Sequence, residues 1–282
     1  MFVKNLTTMK TTKLLFLSIF TVCFAFYSCE VESLDSDLAE NAGNNNNNNN
    51  TDGPAGGDST GDYWPLAVGN NWVYNTLENG AAGAPTTMEV SGTEMINGNS
   101  NYAFSSLLGN SISGTGGEQL EGLEASVYAR KNGGDYIVTV GEVNAEFPGL
   151  YSLSMTGYSY IMLKDYLEVG STWTQNVQTT TTFTMFTDDF PEIPEIILDN
   201  EISNEIMEVG GTIEVEGVTY DNVITVKSVM NSGSALDPST QVSSESYYYF
   251  AKDVGIVKAE TTTLNEGVTS TSSNTLNSYE LF

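Results

Sequence analysis

From Asp62 onward the apolar positions come in short runs of Val, Ile, Tyr and Phe with Thr between them, broken by Gly-Asn, Asn-Gly and Gly-Gly pairs. Residues of these types alternating over a few positions fit pleated, half-buried strands, and the glycine pairs supply hairpin turns. Gly133-Gly134 separates Val127 to Lys131 from Tyr136 to Val140, and Lys252 to Gly255 separates Tyr247 to Ala251 from Ile256 to Lys258. Each reads as two strands around a turn. Only Pro194 to Met207, with Ile196, Ile197 and Ile202, is compatible with a helical face, and its pattern is poor. The expected fold is therefore mainly β: an antiparallel curved sheet, open half-barrel or sandwich, with little helix.

The pattern also repeats. Leu66-x-Val68-Gly69-x-x-Trp72 returns as Leu167, Val169, Gly170 and Trp173, an offset of 101. Glu89-Val90-x-Gly92-Thr93, followed by Gly98 and Tyr102, matches Glu208-Val209-x-Gly211-Thr212 with Gly217 and Tyr220, an offset of 119. Tyr128-Ala129-Arg130-x-x-Gly133 matches Phe250-Ala251-Lys252-x-x-Gly255, an offset of 122. Three blocks in one order predict a single β domain over 62–282 made of two tandem β-meander repeats, about 62–155 and 156–282. Within it Trp72 and Trp173 are expected at equivalent ends of the core. Trp64 lies outside the repeated pattern and is the candidate for an exposed aromatic contact.

The segment ahead of Asp62 has a different character. Lys4, Lys10 and Lys13 precede an apolar run from Leu14 to Tyr27 that ends at Ser28-Cys29. A run of about fourteen residues is shorter than the roughly 20 that span a bilayer and fits the h-region of a signal peptide. The small residue before Cys29 resembles the lipobox of bacterial lipoproteins, with Phe26 and Tyr27 bulkier than the usual preceding pair. Residues 1–28 are read as a lipoprotein signal peptide and Cys29 as the lipidated residue, whose acyl chains anchor the protein without spanning the membrane. Residues 29–61, with seven consecutive asparagines (Asn44 to Asn50) and the run Asp52-Gly-Pro-Ala-Gly-Gly-Asp58, have too little apolar surface to offset ordering entropy and form a disordered tether. Glu30, Glu32, Asp35 and Asp37 follow the cysteine closely and look like the acidic export signal of surface lipoproteins, which favours the outer face of the outer membrane over the periplasmic side.

Charge and missing residue types narrow the chemistry. Loss of the three leader lysines leaves six of nine basic residues against 36 acidic ones, or −30, which disfavours nucleic acid as a partner. With no histidine in the chain, Ser-His-Asp and Cys-His arrangements and imidazole metal sites are excluded. No cysteine follows Cys29, no nucleotide-binding glycine motif follows a strand, and Arg130 is the only arginine. No catalytic residue, cofactor or metal is assigned, and an enzyme is not expected. The remaining enzymatic option is a carboxylate-dependent glycoside hydrolase, which needs two acids converging in a cleft.

The offsets grow between the first and second blocks, placing about eighteen extra residues between Trp173 and Glu208 in the second repeat. They centre on Thr187-Asp-Asp-Phe-Pro-Glu-Ile-Pro-Glu195. Long loops on a rigid scaffold often carry function. Asp188, Asp189, Phe190, Glu192 and Glu195, with Trp64, are the candidate ligand or cation contacts; a charged loop packing its isoleucines on the sheet is the plainer reading.

With Tyr63-Trp-Pro-Leu-Ala-Val-Gly-Asn-Asn-Trp-Val-Tyr74, Gly217 to Val226 and Tyr248-Tyr-Phe-Ala-Lys-Asp-Val-Gly-Ile-Val-Lys258 together, the chain resembles a group of uncharacterised Bacteroidetes lipoproteins with a YxPLxVGNxW opening and a YYxAxGVGxVK close. Asp253 stands where that close has glycine. The resemblance implies a curved antiparallel sheet similar to the open half-barrels of lipoprotein carriers, and implies no catalytic residues. The function expected is that of a lipid-anchored envelope protein with a non-catalytic β domain that binds a glycan, a lipid or an outer-membrane complex. A structural or assembly lipoprotein without a small ligand is the alternative. Cys29→Ser should abolish incorporation of labelled palmitate and release the protein from the membrane fraction; a variant that still labels would show that Cys29 is not the acylated residue.

Overall fold

The computed structural model describes residues 56–106, 108, 125–186, 193–234 and 237–282, all within one compact unit. The leader, Cys29 and nearly all of the tether lie outside the described residues, as do Asp188, Asp189, Phe190 and Glu192. Fifteen strands form one antiparallel sheet, and no helix occurs among the described residues. In chain order they are β1 (Asn71–Glu78), β2 (Ala81–Ala82), β3 (Thr86–Ile96), β4 (Asn99–Phe104), β5 (Val127–Asn132), β6 (Asp135–Val140), β7 (Val143–Phe147), β8 (Tyr151–Met155), β9 (Tyr158–Lys164), β10 (Thr172–Met185), β11 (Ile196–Val215), β12 (Val218–Ser234), β13 (Asp237–Ala251), β14 (Gly255–Asn265) and β15 (Val268–Glu280). Their order across the sheet is β7-β8-β10-β11-β12-β13-β14-β15-β1-β3-β4-β5-β6-β9, with β2 paired to β1. The stretch with a possible helical face is instead the first half of β11. There Ile202, Asn204 and Ile206 are buried in alternation with more exposed residues, which is the period of a strand.

The sheet curls until β9, the last strand of the path, comes beside β10, but it does not close into a barrel. Met155 of β8 pairs with Thr181 of β10, and the Thr156 N–H reaches the Thr180 carbonyl at 3.0 Å. Beyond Gly157 the chain continues as β9, which ladders with β6. A Cβ at Gly157 would lie 2.5 Å from the Val140 carbonyl oxygen and 2.9 Å from the Gly141 carbonyl carbon, so only glycine lets the strand change partners here. Between β9 and the lower half of β10 no backbone ladder forms. Side chains bridge the gap instead. Gln175 accepts from the Ile161 N–H at 2.9 Å and donates to the Ile161 carbonyl at 3.2 Å, and the Trp173 indole N–H donates to that same carbonyl at 3.0 Å.

The alternating strand directions define two poles. The beginnings of β1 and β10 and the ends of β5, β9 and β13 lie at one, the near pole, where the chain enters from residue 56. The turns β12–β13 and β14–β15, and the strands flanking the acidic insertion, β10 and β11, meet at the far pole. The core occupies the near half, around Trp64, Trp72, Tyr74, Met88, Tyr136 and Phe250. The Trp72 indole N–H donates to the Val254 carbonyl at 2.7 Å, and Trp173, only partly buried, packs against the same core. Asp253, in the glycine position of the closing motif, adopts φ 62, a left-handed conformation that aspartate tolerates better than most residues.

The opening blocks of the repeats share their backbone geometry. Gly69 donates to the Val90 carbonyl, Asn70 to Ala67, and Val90 back to Asn70; Gly170 donates to Ile206, Ser171 to Glu168, and Ile206 back to Ser171. Both glycines have positive φ, 97 and 84. The second block differs from the expected alignment: the counterpart of Val90 is Ile206, not Val209, because extra residues swell β11 into a bulge between Ile206 and Gly211. The third block has unlike turns, with Asn132 opposite Asp135 in one and Ala251 opposite Gly255 in the other. The two opening turns thus share a hydrogen-bond pattern, while the later blocks do not align in the ladder, and a tandem repeat is not confirmed.

Gly157→Ala should lower the denaturant midpoint by the equivalent of about 1–3 kcal/mol, the usual cost of forcing an extra methyl into packed backbone. Gly211→Ala is the comparison, since its added methyl meets only the flexible Glu208 carboxylate; an equal loss for both would mean that the strand switch at 157 has room to spare.

Candidate functional site

Two regions carry the polar chemistry, and they differ in kind. At the near pole residues 56–62 pack on the β5–β6 turn. Asp165, almost fully buried, accepts from the Ser59 hydroxyl at 2.6 Å and the Thr60 N–H at 3.1 Å, with the Lys131 ammonium 3.8 Å away. Asp135 accepts from Lys164 at 3.2 Å and from the Tyr166 hydroxyl at 3.0 Å. Lys164 loses by burial but gains more from Tyr166 and Asp135, so its ammonium titrates above the ordinary lysine range. A methyl at Gly133 would meet the carbonyls of Gly56 and Gly57, so the bare turn lets the incoming segment lie flat. These two buried acids are occupied by the chain's own donors. They fasten the start of the fold and do not form a cleft with free carboxylates.

Beyond the core the inward face of the long strands changes character. The register sets the residues in rows. Nearest the core runs Ile206, Val226, Tyr248 and Ala259, ending at Asn274 and Thr76. The next row toward the far pole is Trp173, Asn204, Ser228, Ser246, Thr261 and Ser272. The following one is Gln175, Ile202, Met230, Ser244, Thr263 and Ser270. Hydroxyls link across strands within the rows: Ser246 to Thr261 at 2.9 Å and Ser244 to Thr263 at 3.3 Å. Neither of the two polar rows contains a charged side chain.

Asn204 is the anomaly in this surface. It is 2% exposed, sits between Trp173 and Ser228, and neither its amide nitrogen nor its carbonyl oxygen has a hydrogen-bond partner among the described residues. An unpaired buried polar group costs about 1–3 kcal/mol, so a fold keeps one only against some other requirement. Two phenols of β9 stand near Tyr248, which belongs to the adjacent row. Tyr158 and Tyr160 stack with centroids 6.2 Å apart, and both lie close enough to Tyr248 to feel its charge. Burial, then the neighbouring Tyr248, pushes the Tyr158 phenol up to about 12, and the same causes hold Tyr160 well above its usual 10. They stay neutral donors over the physiological range. Neutral amide and hydroxyl groups beside aromatic rings offer hydrogen bonds and a flat apolar face, with no counter-charge for an anion and no carboxylate cage for a cation.

The residues expected from sequence to make contacts are not brought together here. Trp64 is fully buried against Phe104, with centroids 5.2 Å apart, and is not the exposed aromatic expected. The Tyr63 N–H donates to the Tyr136 hydroxyl at 2.8 Å, which draws that pair of residues into the core. Glu195 is exposed and accepts from Thr182 at 3.4 Å; Asp188, Asp189, Phe190 and Glu192, expected with it, lie outside the described residues. No group of three or more carboxylates with metal-holding geometry occurs among the described residues. Asn204, Ser228, Ser246, Gln175, Tyr158 and Tyr160 had not been singled out. One signal was present: Asn204 falls in phase with Ile202 and Ile206, a polar residue in an apolar alternation.

No protein-family model matches the chain, and no curated protein matches it. Among solved structures it is similar to one described as a "putative lipoprotein" from Parabacteroides distasonis, at 14% identity, covering 79% of this chain and 100% of that one, with a TM-score of 0.46. It is also similar to a "putative exported protein with YmcC-like fold" from Bacteroides fragilis, at 11% identity, covering 77% and 98% of the two chains, with a TM-score of 0.39. At these scores neither likeness says what the chain does.

The raised phenols give a pH test. Their ionised forms are disfavoured in the fold, so their contribution is complete below pH 10 and fades as pH rises toward 12. Absorbance at 295 nm should show a tyrosine class titrating late, together with loss of stability between pH 10 and 12. Tyr158→Phe should flatten that loss, and an unchanged slope would mean that this phenol titrates freely.

Proposed function

We propose that the protein is a lipid-anchored, non-catalytic envelope protein whose β domain binds an uncharged, hydroxyl-rich ligand, a glycan, on the inward face of β10–β15. The observation that carries this reading is the change along those strands from an apolar core to rows of Asn, Ser and Thr without charge. A lipid carrier would line that face with apolar side chains, since acyl chains gain nothing from hydroxyls. Aromatic rings beside neutral hydrogen-bonding groups suit a sugar ring better. The leader, the lipobox-like Cys29 and the acidic residues behind it support an outer-membrane address, at the surface in preference to the periplasmic face. The chain enters the fold at the near pole, so the far pole is the end free of that covalent link.

One feature favours the alternative of a structural or assembly lipoprotein. The near half of the inward face is filled by the chain's own Trp72, Tyr74 and Phe250, as a domain without a ligand would have it.

Binding of purified protein to an array of neutral and acidic glycans, alongside native mass spectrometry for retained fatty acid, separates these readings. Neutral glycans should bind in the micromolar to millimolar range and bound fatty acid should be absent. A co-purifying acyl chain would overturn the glycan reading. Failure of every glycan, combined with recovery of a stoichiometric envelope protein after crosslinking of whole membranes, would favour assembly. Protease shaving of intact cells tests the address: a domain cut only after the outer membrane is broken is not on the surface.

A further inference from the structure

We propose that the buried amide of Asn204, flanked across the ladder by Trp173 and Ser228, is the centre of a binding subsite for one neutral group bearing a hydroxyl or amide, reached through the seam between β9 and β10. This deepens the glycan reading and rests on it. Asn204 presents one acceptor and two donor hydrogens with no partner among the described residues, on the core side of β11 that Ile202 and Ile206 define. A sugar hydroxyl, which donates and accepts at once, can engage both ends of that amide. An ammonium would leave the amide's donors unanswered, and a carboxylate would find no cation among these residues.

The seam supplies the route. Everywhere else along the path from β10 round to β9, neighbouring strands are joined by backbone ladders. Here closure depends on three side-chain hydrogen bonds from Gln175 and Trp173 to a single residue, Ile161. Trp173 is also the direct cross-strand neighbour of Asn204, so the ring that closes the seam stands beside the unpaired amide. Its movement would both open the passage and offer an aromatic face to a sugar ring.

The test uses the full folded domain with glucose, galactose, N-acetylglucosamine, maltose and lactose as probes, measured by calorimetry and by the asparagine side-chain resonances of selectively labelled protein. The Asn204 amide, assigned by its loss in Asn204→Leu, should shift on saturation with at least one sugar. Asn204→Leu removes an unpaired polar group and should fold with an equal or higher denaturant midpoint, yet bind at least tenfold more weakly. Ser228→Ala, a milder change, should weaken binding severalfold. Gln175→Ala should speed association at least threefold in stopped-flow tryptophan fluorescence. Sugar binding that survives Asn204→Leu would overturn the subsite while leaving a glycan surface elsewhere on the face intact. Binding of none of the probes would overturn this proposal, and the array would then decide the wider reading independently. An Asn204 amide satisfied by an ordered water in a crystal saturated with a binding sugar would overturn the subsite, and an association rate unchanged in Gln175→Ala would overturn the seam as its route.

Discussion

A sheet of this many strands either leaves a row of peptide groups open at each end or brings the ends together, and the rest of this structure depends on how that is done at Ile161. One glutamine amide copies the pairing of a peptide group, donating to the carbonyl and accepting from the N–H, while an indole adds a second donor. Unpaired strand edges recruit other chains, so closure protects the fold from edge pairing. It is also weaker than a ladder, since each neutral hydrogen bond contributes only about 0.5–1.5 kcal/mol net. Gly157 is what makes the arrangement possible, because a side chain there would collide with the β6–β7 connection where the chain leaves β10 at the end of β8 and joins β6 as β9.

From that closure follows the division of the interior. Near the pole where the chain enters, the curled sheet brings Trp64, Trp72, Tyr136 and Phe250 within reach of one another, and burying side chains of this size contributes about 1.5–3 kcal/mol each. Gly255, at φ 111, lets Trp72 approach the β13–β14 turn, with its indole nitrogen 3.2 Å from where a methyl would stand. Farther along the same strands the inward residues are mostly Asn, Gln, Ser and Thr, with Trp173, Ile202 and Met230 among them. Stability is therefore concentrated in one half of the strands, which leaves the other half free to keep an unpaired amide that a pure stability argument would have removed.

Much of this plan was legible in the residues. Strand class, the Gly133-Gly134 and Lys252–Gly255 hairpins, and the shared turn before each tryptophan all follow from local chemistry: glycine where φ is positive, β-branched and aromatic residues between. What sequence could not give was phase and partner. The isoleucines of 196–202 fit a helix and a strand about equally, and choosing between them hides that Asn204 faces inward. Trp64 looked exposed because it stood outside the repeat, yet its burial comes from long-range contact with Phe104 and from Tyr136 holding Tyr63 in place. The bulge after Ile206 shifted the second block out of step, since sequence matching aligns residue types while the ladder aligns backbone groups.

The charge distribution ties the two halves together. The chain carries a formal −27 with only nine basic residues, and several of those are already paired: Lys131 and Lys164 lie against Asp165 and Asp135 at the near pole, Lys227 of β12 pairs with Glu245 of β13, and Lys258 pairs with Glu260 along β14. An acidic exterior repels anions, and an interior surface without cations gives them nothing to bind. A cation would be drawn to the exterior but would find no cluster of carboxylates among the described residues to desolvate it. Among the described residues nothing opposes a neutral ligand of the kind proposed, and hydrogen bonds to it would cost little where the protein's own groups are already dry and unpaired.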